Sequence, residues 1–166
     1  MKTIIIALGN PILTDDGVGA KVIQELKNKR EIIPQINSND IELIELYRGG
    51  LSLMEAMIGY ERAVIVDAMR SENEPGTISC CNIGKSGDQT GEKPLYSTKN
   101  LISTHDTNLS TALQMAELLN MPIPETINIW GIEVENAETF SEELTQSVNR
   151  AVPVLVDEIV SYLQKG

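Results

Sequence analysis

Ile4-Ile5-Ile6-Ala7-Leu8, followed at once by Gly9-Asn10-Pro11-Ile12-Leu13-Thr14-Asp15-Asp16-Gly17-Val18-Gly19, is an unbroken apolar run that empties into a polar, glycine-rich turn. A buried parallel strand reads as a continuous β-branched run, and Gly, Asn and Pro supply the backbone angles for a sharp exit from it. Val18, Val22, Ile23 and Leu26 then recur at helical spacing, to about Arg30. The order strand, turn, helix places the turn at the carboxyl end of the first strand. That is the edge where open α/β sheets bind ligands, because helix amino ends converge on it.

Two adjacent acids in this turn exceed what one helix start needs. Asp15 fits the cap, and Asp16 falls in the first helical turn, where the dipole favours negative charge and the side chain could face the crevice. A purely structural reading, cap plus dipole, stays open for the pair. A phosphate cradle does not: the Gly-x-Gly-x-x-Gly and Gly-Lys-Ser/Thr spacings are absent, and two acids repel phosphate.

The same grammar repeats along the chain. Ile41-Glu42-Leu43-Ile44-Glu45-Leu46 predicts a second strand, and Arg48-Gly49-Gly50 turns it into a short helix with Leu51, Leu53, Met54 and Met57 inward. Ala63-Val64-Ile65-Val66-Asp67-Ala68 predicts a third, apolar until Asp67 appears at its carboxyl end. Asp67 either terminates that strand or sits beside the Asp16 turn, if strands one and three are neighbours. Pro75-Gly76 leads into Thr77-Ile78-Ser79-Cys80-Cys81, an antiparallel edge strand. Residues 85–100 lack hydrophobic period and read as a long loop near the site.

His105 is the single histidine of the chain. It precedes a helix expected from about Thr107, with Leu109, Ala112, Leu113, Ala116 and Leu119 at core spacing. A ring just before a helix amino terminus is kept neutral and able to ligate a metal, although an ordinary surface or core histidine is the plainer reading. Ile127-Asn128-Ile129-Trp130-Gly131-Ile132 predicts the last strand, ending in Glu133. Thr139-x-x-Glu142 has the capping-box spacing for a final helix through Leu144, Val148, Val152, Leu155, Ile159 and Leu163, with Pro153 inside it.

The chain has 166 residues, 42% of them hydrophobic, and no Ser/Gly/Pro-rich linker, so residues 1–166 are read as a single domain. Alternating strand and helix predict an α/β three-layer sandwich: a twisted, mainly parallel five-stranded sheet with one antiparallel edge strand and helices on both faces. A formal charge of −11 argues against a phosphate backbone or an anionic membrane as partner. No apolar run approaches the ~18 residues of a membrane span, and the first strand begins too early for a signal peptide, so a cytoplasmic protein is expected. Cys80 and Cys81, being adjacent, suit neither a disulfide with each other nor a zinc site, and are expected to be reduced.

On that topology Asp16, Asp67 and His105 each fall where a strand ends or a helix begins. Two carboxylates and one imidazole form an incomplete donor set that leaves positions open for ligands brought by something else. Together Gly9-Asn10-Pro11-x-x-x-Asp15-Asp16-Gly17-Val18-Gly19, Val64-Ile65-Val66-Asp67-Ala68, Pro75-Gly76-Thr77-Ile78, Thr104-His105 and Gly131-Ile132-Glu133 resemble the nickel-iron hydrogenase maturation endopeptidases, in family order and over nearly the whole chain. The resemblance implies a protease that removes the C-terminal extension of a hydrogenase large-subunit precursor once nickel has been inserted. It implies that Asp16, Asp67 and His105 are catalytic and contact that nickel, which is supplied by the substrate, so no tightly bound metal of the enzyme's own is expected. Whether nickel polarises the scissile carbonyl or activates water, with Asp16 or Asp67 as base, stays open. Arg48 and Val134 depart from the acid and proline that family members often carry there, which bears on which precursor is recognised. A non-catalytic nickel-sensing docking module would use the same residues. A serine or cysteine hydrolase is disfavoured, since no nucleophile elbow is present.

Overall fold

The computed structural model describes residues 1–29, 40–84, 89–91 and 109–165. Among these, the strands are β1 Thr3–Leu8, β2 Ile41–Leu46, β3 Arg62–Met69, β4 Ile78–Gly84, β5 Gln89–Gly91 and β6 Thr126–Glu133. The helices are α1 Val18–Asn28, α2 Gly50–Met57, α3 Leu109–Leu118 and α4 Gln146–Lys165. One sheet runs in the order β2-β1-β3-β6-β4-β5. The first four strands in that order are mutually parallel, and β4 runs antiparallel to β6. The expected mixed sheet is therefore present. A short further strand, β5, pairs antiparallel with β4 and caps what would have been the edge. It comes from the stretch without hydrophobic period, so its formation rests on backbone hydrogen bonds along β4, which no side-chain pattern announces.

Side chains alternate across a strand, and the core divides accordingly into two layers. Ile5, Ala7, Val64, Val66, Ala68, Trp130 and Ile132 pack with Val18, Val22, Ile23 and Leu26 of α1 and with Val148, Val152, Leu155, Ile159 and Leu163 of α4. On the other face Ile4, Ile6, Leu8, Ala63, Ile65, Ile127 and Ile129 pack with Leu53, Met54 and Met57 of α2 and Leu109, Ala112, Leu113 and Ala116 of α3. β1 is buried at every position because it is covered on both faces, which is why it reads as a continuous run. Each fully buried Ile or Leu of this kind contributes roughly 1.5–3 kcal/mol.

Several local expectations are corrected. Leu51 is 42% exposed and Leu119 67%. α2 starts at Gly50 and buries its stripe from Leu53 onward, and α3 stops at Leu118, leaving Leu119 past its end. The last helix starts at Gln146, so Thr139 and Glu142 lie in the loop before it and do not cap it. Pro153 sits within this helix on its exposed side, where water can satisfy the carbonyl left without an N–H partner. Gly19 lets α1 approach the sheet: a Cβ there would lie 3.0 Å from the Leu8 carbonyl oxygen and 3.2 Å from that of Val66. This close approach sets α1 directly across the ends of β1 and β3.

Candidate active site

The β1–α1 turn is built around Asn10. Its carbonyl accepts Leu13 N–H at 3.1 Å and its Oδ1 accepts Ile12 N–H at 3.2 Å. Its own N–H donates to Asp16 Oδ2 at 2.9 Å, which aims the Asp16 carboxylate back at the exit of β1. A 3-10 turn, Thr14–Gly17, follows, with Thr14 in the left-handed region at φ 49°. That conformation costs a β-branched residue on the order of 1–3 kcal/mol and persists only where neighbours over-determine it. Here Thr14 N–H donates to the Ser141 carbonyl at 2.8 Å and Thr14 Oγ1 to the Thr139 carbonyl at 2.6 Å.

Asp15 does not cap the helix, contrary to the sequence reading: neither the 3-10 turn nor α1 has a side-chain cap. Its carboxylate reaches into the β6–α4 loop. Oδ2 accepts from Glu135 N–H at 3.0 Å and Asn136 N–H at 2.9 Å, Oδ1 accepts Thr145 N–H at 2.7 Å, and the Thr145 hydroxyl lies 3.0 Å and 2.9 Å from the two oxygens. Asp15 N–H in turn donates to the Asn136 carbonyl at 2.9 Å. Asp15 is 0% exposed, and this set of donors compensates the desolvation of its charge.

Asp67 is likewise 0% exposed, at the sixth position of β3. Its Oδ1 accepts the Ala68 N–H at 2.8 Å. Strand alternation points Asp67 to the same face as Ile65, the face covered by α2 and α3. β3 pairs with β1 up to Ala7↔Val66, so Asp67 stands level with the end of β1, and the turn bearing Asp16 packs against β3. The two acids therefore share one sheet edge. His105 lies outside the described residues, four positions ahead of α3 in the sequence. Among the described residues no three His, Cys, Asp or Glu could hold a metal ion together.

Around this edge, Glu133 is 4% exposed, and its two oxygens accept Ser71 N–H and Ser71 Oγ–H, both at 2.7 Å. It fastens the segment after β3. Gly131 stands beside Asp67 in the ladder, and the space its missing side chain leaves is filled by Met69, whose Sδ would lie 1.8 Å from an added Cβ. Val134 N–H donates to the Met69 carbonyl at 3.0 Å, a bond that a proline at this position could not make. An open cavity of ≈ 330 Å³ adjoins the turn, lined by residues including Pro11, Ile12, Lys21 and Glu142. The larger one, ≈ 880 Å³, lies at the opposite end of the sheet beside Arg62 and Tyr162, away from the buried acids. The candidate site is the edge that carries the buried carboxylates, and the larger cavity lies away from it.

Cys80 and Cys81 are free thiols on β4, one exposed and one buried. Burial pushes the Cys81 thiol above its ordinary range, which disfavours the nucleophilic thiolate. Sequence reasoning found the two edge acids but missed the Asp15 and Thr145 clamp. The available signal was the second acid itself, one more than a cap requires.

A sequence profile described as hydrogenase maturation protease matches residues 20–162, beginning just after the turn. Hydrogenase 2 maturation protease of Escherichia coli K12 is 24% identical over 167 residues, covering 100% of this chain and 93% of that protein. The fold resembles the hydrogenase maturating endopeptidase HybD from E. coli, with TM-score 0.76 at 20% identity over 99% of this chain and 93% of that one. It also resembles the [NiFe] hydrogenase maturation protease HybD from Thermococcus kodakarensis, with TM-score 0.67 at 24% identity over 98% and 99%. The chain belongs to the hydrogenase maturation protease family. The resemblance read from its motifs is thereby borne out, and with it a peptide-bond hydrolase of mainly parallel α/β fold.

Proposed function

We propose that this protein is an endopeptidase that removes the C-terminal extension of a nickel-iron hydrogenase large-subunit precursor after nickel insertion. Asp16, Asp67 and His105 contact the substrate's nickel, and the enzyme holds no tightly bound metal of its own. One observation carries this reading: two carboxylates, Asp16 at 3% exposure in the turn after β1 and Asp67 at 0% near the end of the adjacent parallel strand β3, are buried at one sheet edge of a hydrogenase maturation protease. A cation arriving with the substrate adds an opposite charge to carboxylates that already accept hydrogen bonds from Asn10 N–H and Ala68 N–H, and so favours their ionised form. Two oxygen donors hold a free divalent ion weakly, so affinity depends on the ligands that the precursor brings. One of the two acids then serves as the base for water, or nickel activates the scissile carbonyl directly. Residues 1–166 act as one domain, in the cytoplasm, where the precursor is made. Among the described residues no helix is long and apolar enough to cross a membrane.

The test is intact-mass analysis of nickel-loaded and nickel-free precursor incubated with wild type, Asp16→Asn, Asp67→Asn and His105→Ala. Wild type shortens only the loaded precursor, and each variant, folded by circular dichroism, slows the cut by about 10²–10⁴-fold. Unchanged cleavage by the three variants would sink the reading. A stable complex at constant precursor mass would replace the protease with a docking module.

A further inference from the structure

We infer that Asp15 is a positioning residue for the site: its buried carboxylate locks the β1–α1 turn onto the β6–α4 loop and thereby sets the direction of Asp16. The inference rests on the proposed function for what Asp16 does, but not for how Asp16 is held. Thr14 and Asp15 turn their polar groups toward residues 135–145, whereas Asp16 turns the other way, to Asn10 N–H. Between these opposite pulls the 3-10 turn has little freedom. Within the turn Gly17 packs close against Pro11: an added Cβ would meet Pro11 Cα at 2.9 Å, so this end of the turn accepts no side chain without a shift.

Among the described residues, the groups that hydrogen-bond the Asp15 carboxylate are all donors: three backbone N–H groups, of Glu135, Asn136 and Thr145, and the Thr145 hydroxyl. Such a nest demands two oxygens and suits a full negative charge. Asparagine has the same shape but sets an NH₂ against at least one N–H. Asp15→Asn therefore tests the clamp without opening a cavity, and Thr145→Val removes only the hydroxyl and keeps the three N–H donors.

The Asn10 amide reports on Asp16 independently of cleavage, because its N–H points at Asp16 Oδ2 at 2.9 Å. In ¹⁵N-resolved NMR of the full chain, Asp16→Asn marks how far the Asn10 amide resonance moves when that carboxylate is lost. Asp15→Asn is expected to move it in the same direction. With nickel-loaded precursor it is expected to lower kcat by roughly 10- to 100-fold per folded molecule, KM staying within about twofold, as for a misplaced reactive group. Thr145→Val is expected to do the same more weakly and decides the matter if Asp15→Asn does not fold. An Asn10 amide at its wild-type position, or an unchanged kcat, in the folded variant overturns the inference. If Asp16→Asn, Asp67→Asn and His105→Ala all cut the precursor at the wild-type rate, the proposed function fails instead, and the Asn10 resonance still decides whether Asp15 sets Asp16.

Discussion

At the carboxyl end of the sheet Asp15, Asp16, Asp67 and Glu133 are each at most 4% exposed, whereas the buried charge of the amino end is a cation, Arg62, at 7%. The acids are held largely by backbone N–H groups of turns and strand ends. Arg62 donates to Thr3 Oγ1 at 3.2 Å, hydrogen-bonds Tyr162, and lies 5.1 Å over the Tyr162 ring, so its partners among the described residues are neutral. Both ends belong to the same parallel strands, so the difference lies in what the loops offer. Parallel strands deliver their carboxyl ends to helix starts and turns rich in unpaired N–H groups, a setting that tolerates anions. An aromatic face with one hydroxyl suits a guanidinium that packs more than it reacts. Concentrated buried charge with a specific geometry sets the carboxyl end apart, whereas the amino end, despite its larger cavity, buries one cation against an aromatic ring.

That contrast can be broken by mutation. Asp15→Ala strands the N–H groups of Glu135, Asn136 and Thr145 and is expected to cost about 3–5 kcal/mol in urea unfolding. Arg62→Met, which keeps the stem over Tyr162, is expected to cost only about 1 kcal/mol. Equal losses would mean that the two ends bury charge on the same terms. Gly19→Ala pushes a methyl against the carbonyls of Leu8 and Val66, and is expected to destabilise by about 1–3 kcal/mol by the same measurement. A neutral result would show that α1 is not held tightly over the strand ends.

The smallest effect sharpens the amino end. A hydrogen bond with Glu42, then burial, then the Glu42 charge push the Tyr60 hydroxyl up to about 12. The folded pKa lies above the ordinary value of 10.0, so the stabilisation is complete below pH 10 and is lost as pH rises through about 12. In the absorbance difference between wild type and Tyr60→Phe, the phenol should ionise near pH 12. Glu42→Gln should bring that step down toward 10, and a step already at 10 in wild type would remove Glu42 as its cause.

Much of this architecture was legible because β1 and β3 carry unbroken apolar runs and α1 an uninterrupted stripe; local pattern and tertiary burial agree there. Asp16 and Asp67 were legible for a related reason: Asp67 interrupts an apolar run near the end of a parallel strand, and Asp16 lies in the turn that follows one, so both emerge at the same sheet edge. The role of Asp15 was not. Its partners Glu135, Asn136 and Thr145 are more than a hundred residues away, and no spacing rule connects them. Thr139-x-x-Glu142 misled for a local reason. Asn136 Oδ1 accepts the N–H groups of Glu138 and Thr139, both at 3.1 Å, and folds the segment into a loop before a helix could begin. Leu51 and Leu119 illustrate a third limit, since helical spacing names a stripe but not where the helix starts or stops.

The β6–α4 loop also carries Phe140, 79% exposed, and it pairs with the segment bearing Ile12, 45% exposed, through Ser141 N–H to the Ile12 carbonyl at 3.0 Å. Two greasy side chains are thus presented to water from backbone stitched together beneath them. A chain landing on this rim meets a surface that has already surrendered its freedom, so the ordering entropy of the encounter falls on the visitor.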